Sequence, residues 1–201
     1  KNYKDMKNKI FAGFNVSCVG DDRAYSYLPS RNGKTISDMI AKHVLKWIDP
    51  NFIKYSWFDR GSDERQYCAP GIDLPIASIL RTKHGRYPEY HTSLDNLENV
   101  VTPKGLDGGY YAIRKAIDAI ERNKKYKTTV LCEPQMSKRG LYTTLSTKDA
   151  NKEVELMMNF ISICDGQASL LEIAESLNLP IWELYELVDK LESHSLIGVN
   201  E

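Results

Sequence analysis

The chain has 201 residues, with 27 Lys+Arg against 27 Asp+Glu and 42% of residues drawn from the apolar set. That length admits one large domain or two small ones. The composition is too apolar for a disordered chain, and the balanced charge provides no global field toward nucleic acid or an anionic membrane. No apolar run approaches the roughly 18 residues of a membrane span, and the first residues lack a signal-peptide core; the sequence reads as soluble, with no membrane partner. Four scattered cysteines, Cys18, Cys68, Cys132 and Cys164, form no Cys-x-x-Cys pair and read as buried thiols in a reducing cytoplasm.

In chain order, residues 10–19 form a mostly apolar run closed by Gly20, which predicts a buried central strand. Residues 21–33 contain Pro29 and Gly33 and read as a loop. A helix follows, capped by Thr35 or Ser37, with Ile36, Ile40, Val44 and Trp47 on one face and Pro50 as its stop. Residues 53–58 and 74–80 read as further strands. A long helix is predicted from Pro103 to about residue 123, with Leu106, Tyr110, Ile113, Ile117 and Ile120 as its apolar face. Such an order is that of an α/β layer sandwich. Residues 124–150 show no sustained period and read as a connector. From residue 151 the pattern is helical, and Asn178-Leu179-Pro180 between two apolar helices gives the short turn of a helix-turn-helix, followed by one wing strand at 196–199. The expected domains are 1–123, a connector at 124–150, and a small winged-helix-like domain at 151–201.

Two segments could carry chemistry. Arg60-Gly61-Ser62-Asp63-Glu64-Arg65 follows a predicted strand, where open α/β sheets place ligands; Asp63 and Glu64 there are either site carboxylates or the favoured acids of a helix first turn. Arg60 and Arg65 bracket Asp63 and would keep it ionised. In Tyr87-Pro88-Glu89-Tyr90-His91-Thr92-Ser93-Leu94-Asp95, His91 could be a metal ligand in a loop braced by Asp95. His43 and His194 read as structural and His84 as exposed. The loop after the first strand, with Asp21, Asp22 and Arg23, is either a substrate-cleft wall or a loop braced by Asp–Arg pairs; Arg23 and Arg31 could hold an anion there and Tyr25 and Tyr27 a ring.

Taken together, Ser62-Asp63-Glu64, the Gly71-Ile72-Asp73-Leu74-Pro75 turn, the strand after it, and Tyr90-His91-Thr92 with Asp95 resemble the last third of the M28-type zinc aminopeptidases. The chain as a whole is most similar to the bacterial aminopeptidase-like proteins with a C-terminal winged helix, often met among surface-polysaccharide genes. The resemblance implies a partial three-layer αβα aminopeptidase-like sandwich and hydrolysis of a peptide-like or amide small molecule by zinc-activated water. It carries His91 over as a zinc ligand, Asp63 as an active-site carboxylate with Glu64 beside it, and Asp21, Asp22, Arg23, Arg60 and Arg65 as lining the substrate site.

Two departures temper it. Ser17 stands where the family has a zinc-binding Asp, and the family's first His, bridging Asp and Glu pair have no equivalent upstream of Ile10. The chain therefore looks like the C-terminal portion of such a hydrolase, expected to hold zinc weakly by itself and to self-associate or pair with a separate chain through its open sheet edge. The other reading is a non-catalytic recognition or assembly module on the same scaffold. Nucleic acid is not an expected partner of the helix-turn-helix: residues 151–201 hold two lysines and no arginine against ten acidic residues, a net of −8, whereas DNA binding needs Lys and Arg on phosphates. That acidic tail is expected to dock on the more basic remainder of the chain or on another protomer.

Overall fold

The computed structural model describes residues 3–139, 141 and 148–200. They fall into two compact units, residues 1–120 and 121–201. The first contains α1 (Tyr3–Lys9), β1 (Gly13–Asn15), β2 (Ser26–Leu28), α2 (Ile36–Ile48), β3 (Ile53–Lys54), α3 (Glu64–Tyr67), β4 (Ile76–Leu80) and most of α4 (Pro103–Arg122). Its sheet has the order β1-β4-β2-β3, with β4 parallel to β1 and antiparallel to β2, and β3 parallel to β2. All five residues of β4 are buried, so both of its faces are covered, as a layered α/β fold requires.

Local chemistry accounts for α2. The Thr35 side chain accepts from the Asp38 amide while the Asp38 carboxylate accepts from the Thr35 amide, a reciprocal N-terminal cap. Ile40, Ala41, Val44 and Leu45 are fully buried, and the helix packs on β4 and β2. Asp38 is itself buried and gathers the Tyr27 hydroxyl at 2.7 Å, the Ser30 amide at 2.8 Å and hydroxyl at 2.5 Å, and the Thr35 amide at 2.9 Å and hydroxyl at 2.7 Å.

Four expectations need correction in this unit. The stretch at 21–33 is not all loop, since it contains β2, which is buried and paired with both β4 and β3. The run at 10–19 yields only three strand residues, paired with β4 alone at the margin of the described sheet. Ser17 and a left-handed Cys18 (φ 50°) end it, and Phe11 and Val16 are exposed. Residues 53–58 supply two strand residues before a 3₁₀ turn at Trp57–Asp59. In α4 the buried face is Gly105, Gly109, Ala112, Ala116 and Ala119, whereas Leu106, Tyr110 and Ile117 are exposed. The face is set one position away from the large residues because the helix lies directly on backbone: a Cβ on Gly105 would meet the Gly20 carbonyl oxygen, and one on Gly109 that of Val19.

The second unit is a winged helix-turn-helix built from β5 (Lys125–Thr128), α5 (Lys148–Ile163), β6 (Asp165–Ser169), α6 (Leu170–Ser176), α7 (Tyr185–Ser193) and β7 (Ile197–Val199). A second capping pair, Ser169 with Glu172, starts α6, and Asn178 at φ 52° turns the chain after it. Phe160, Leu170, Leu171, Ile173, Ile181, Leu184 and Leu191 form the core. The aperiodic segment at 124–150 is more than a connector, since β5 lies at its start and in the middle of the antiparallel sheet β6-β5-β7; residues 140 and 142–147 lie outside the described residues. All four cysteines are free; Cys68 and Cys164 are buried, but Cys18 is half-buried and Cys132 exposed. No helix among the described residues is long and apolar enough to cross a membrane.

Candidate active site at the strand ends

Parallel pairing brings the carboxyl ends of β1 and β4 together, and the Arg81 amide donates to the Cys18 carbonyl at 2.8 Å just beyond them. Asp21 fixes this junction. Its carboxylate accepts from the Thr82 amide at 2.8 Å, the Thr82 hydroxyl at 2.6 Å and the Arg23 amide at 3.0 Å, and the residue is buried. Of the loop expected to face substrate, Asp21 is thus a brace, while Asp22 and Arg23 are exposed. Arg23 makes a two-pronged ion pair with Glu89, at 2.8 and 2.9 Å, which ties this loop to the segment bearing His91. Arg31 pairs instead with Asp73, and Tyr27 is committed to Asp38.

Glu64 is buried to 1% exposure and holds the turn that precedes α3. One oxygen accepts from the Gly61 amide at 2.6 Å and the Ser62 amide at 2.9 Å, and the other from the Asn15 side-chain amide at 2.8 Å. These donors compensate its loss of water and lash the turn to β1. Asp63 is exposed and occupies the position before α3 without capping it. Of the two arginines expected beside it, Arg60 stacks on Trp57 and donates to its carbonyl, and Arg65 donates to the Ser62 carbonyl.

His84, expected on the surface, lies against Gly61, where any Cβ would strike its ring. Its Nδ1 is buried without a partner. Burial, then the neighbouring Lys83 ammonium, lowers its pKa; Glu64 opposes this and His91 adds to it, which places His84 within electrostatic reach of both candidate segments. Lys83 is nearly buried, donates to the His84 carbonyl at 3.3 Å and lies 5.3 Å from the Tyr55 ring centre. Burial, then Arg86, lowers its pKa, against the pull of Asp59 and Glu64.

His91 adopts φ 60°, is exposed, and stacks on Tyr90 with ring centres 3.9 Å apart. Asp95 braces the loop through Tyr87, whose hydroxyl donates to it at 3.0 Å. Tyr87 meets Tyr90 edge-on, and its hydroxyl also reaches the Cys18 sulfur at 3.9 Å. A cavity of about 260 Å³ opens among Cys18, Asp21, Tyr87, Tyr90, Asp95 and Val101. The structure therefore gathers Glu64, His84, Tyr90 and His91 near the carboxyl ends of β1 and β4, with Asp63 beside Glu64 on the same turn. Among the described residues, no group of three or more His, Cys, Asp and Glu side chains is arranged to hold a metal ion. The sequence pattern puts His84 at the surface and does not single out Lys83; the signal that could have found them is their place shortly after the buried strand β4.

Residues 1–123 match a family described as a domain of unknown function, DUF4910, and residues 124–199 match a winged helix-turn-helix family. The chain is 35% identical over 176 residues, 87% of its length, to a Clostridium acetobutylicum protein provisionally named a polysaccharide biosynthesis protein with an aminopeptidase-like domain. A crystal structure from Clostridium acetobutylicum, provisionally named a peptidase, superposes over 98% of the chain with a TM-score of 0.85 at 30% identity. The chain spans 40% of the first protein and 44% of the second.

Proposed function

We propose a function from the family to which the chain belongs, that of the DUF4910 domain, whose relatives are aminopeptidase-like: the strand-end cleft is part of the active site of a hydrolase of peptide-like or amide small molecules. The observation that carries this reading is the convergence of the Glu64-held turn and the His91 loop on His84 at the ends of two parallel strands. Comparable strand-end crevices bind ligands in open α/β sheets.

In this reading Glu64 shapes the turn, and Asp63 on that turn offers an exposed carboxylate to substrate. His84, its pKa lowered by burial and its Nδ1 enclosed, packs against Gly61 and beside Tyr90 and so positions the two segments. Lys83 places a cationic donor beside it. His91 is proposed as a ligand to zinc, which would supply an acidified water when bound. The described residues do not by themselves make a zinc site, so the remaining ligands would come from outside them.

The test is metal content and hydrolysis of leucine p-nitroanilide by the polypeptide that carries these residues. Chelator-sensitive hydrolysis is expected, with His91→Ala losing both stoichiometric zinc and activity. Unchanged zinc and unchanged turnover in His91→Ala would refute the assignment. These 201 residues alone are expected neither to retain zinc through dialysis nor to cleave the anilide.

A further inference from the structure

A second cavity, of about 430 Å³, lies in the first unit between the loop at 22–25, the end of α2 and the first turns of α4. Arg81 lies at its floor and is only 4% exposed. Its Nε donates to the Asp21 carbonyl at 2.7 Å, and its guanidinium lies over the Tyr25 ring, 3.6 Å from the centre. Its charge favours the ionised form of the Tyr25 hydroxyl. None of these partners is a carboxylate, although a buried guanidinium is normally neutralised by one.

The space above this pair is kept open by Gly108. A Cβ there would come 2.5 Å from the Tyr25 hydroxyl and 3.0 Å from Arg81 Nη1. Three acids, Asp22, Asp49 and Asp107, line the cavity, and Asp49 and Asp107 lie near enough to Tyr25 to disfavour its ionised form. Lys104 lines the same cavity from the exposed side of α4, and Tyr111 and Ile48 supply apolar wall. Arg23 also borders it, but its guanidinium is already engaged with Glu89.

We propose that this cavity binds a small zwitterion, a free α-amino acid or dipeptide, with its carboxylate on Arg81 and Lys104 and its ammonium toward Asp49 and Asp107. The charge arrangement selects among ligand types. A simple anion would satisfy Arg81 but face the acids uncompensated, and a simple cation would meet the buried guanidinium. A molecule carrying both charges meets both, and each pairing is a charge-assisted hydrogen bond in a partly desolvated site. The volume is at the small end of ligand pockets and leaves room for an apolar or aromatic side chain against Tyr111. Asp22 and Arg23, which the resemblance gave to the substrate site, line this cavity, but His84, His91 and Asp63 do not, so the proposal does not rest on the hydrolase reading.

Isothermal titration of the polypeptide that carries these residues with L-phenylalanine tests it, beside N-acetyl-L-phenylalanine, which keeps only the carboxylate, and phenethylamine, which keeps only the ammonium. L-phenylalanine is expected to bind, and each single-charge analogue to bind about tenfold more weakly or worse, the value of one charge-assisted hydrogen bond. Asp107→Asn, at an exposed helix position, should weaken L-phenylalanine by a similar factor. His91→Ala should leave it unchanged. Equal binding of the three compounds, no binding of L-phenylalanine at millimolar concentration, unaltered binding by Asp107→Asn, or loss of binding in His91→Ala would each overturn the proposal, the last by moving the ligand to the strand-end cleft.

Discussion

Asp38 shows how much one residue can organise. Five donors from three residues converge on its buried carboxylate. Burial alone would raise its pKa, but the bonds from Ser30, Thr35 and Tyr27 outweigh that and hold it below the ordinary aspartate value. A carboxyl whose folded pKa is depressed adds stability above its unfolded pKa, near 3.9, and loses it as pH falls through the folded value. Asp38→Asn should therefore cost about 2–4 kcal/mol near neutrality, because an amide cannot accept from all five donors. Its denaturant midpoint should also fall less steeply below about pH 4 than that of the parent chain; parallel acid limbs would show that Asp38 is not the titrating group. The sequence made part of this legible: Thr35 stands out as one of two possible caps, and Asp63, Glu64 and His91 stand out by residue type. It could not show that Glu64 would be consumed by Gly61, Ser62 and Asn15, or that His84 would be buried against Gly61, since both depend on partners supplied by folding.

At the scale of elements, α2 and the helices of the winged unit could be read from their apolar period, whereas α4 could not be read from size. Leu106, Tyr110 and Ile117 repeat at helical spacing, but so do Gly105, Gly109, Ala112, Ala116 and Ala119 one position earlier, and the small residues face the core. Hydrophobic weight favours the first set; close approach to the backbone of Val19 and Gly20 selects the second, and periodicity does not report such an approach. Gly109→Ala should therefore cost about 1–3 kcal/mol, as overpacking does, while Leu106→Ala on the exposed side should change stability by no more than about 0.5 kcal/mol. Chemical denaturation of the two variants checks this, and the reverse ranking would put the buried face where the large residues are. The strands were legible as β4 and poorly as β1, because the apolar content of residues 10–19 exceeds what is paired: only Gly13–Asn15 meets β4.

On the scale of the whole molecule, zero net charge conceals a separation, with −8 over residues 151–201 and +8 over the rest. In the winged unit Glu183, Glu186, Asp189 and Glu192 are exposed on and beside α7, and Asp189 is held by Arg122. A helix presenting this row would repel phosphates, so fluorescence anisotropy with a labelled duplex is expected to show no binding at physiological salt; affinity that weakens as salt rises would contradict it. The two-unit plan is visible in the change of character after residue 123, but β5 is too short and too polar to announce itself within the aperiodic segment. Its central place in the β6-β5-β7 sheet has a consequence for synthesis. During translation β5 leaves the ribosome before either neighbour exists, and it stays open on both edges until β6 and then β7 follow. Such an unpaired strand is a template for wrong partners. Lys125 and Lys127, exposed on β5, give the nascent strand the charge that discourages such partners until its own arrive.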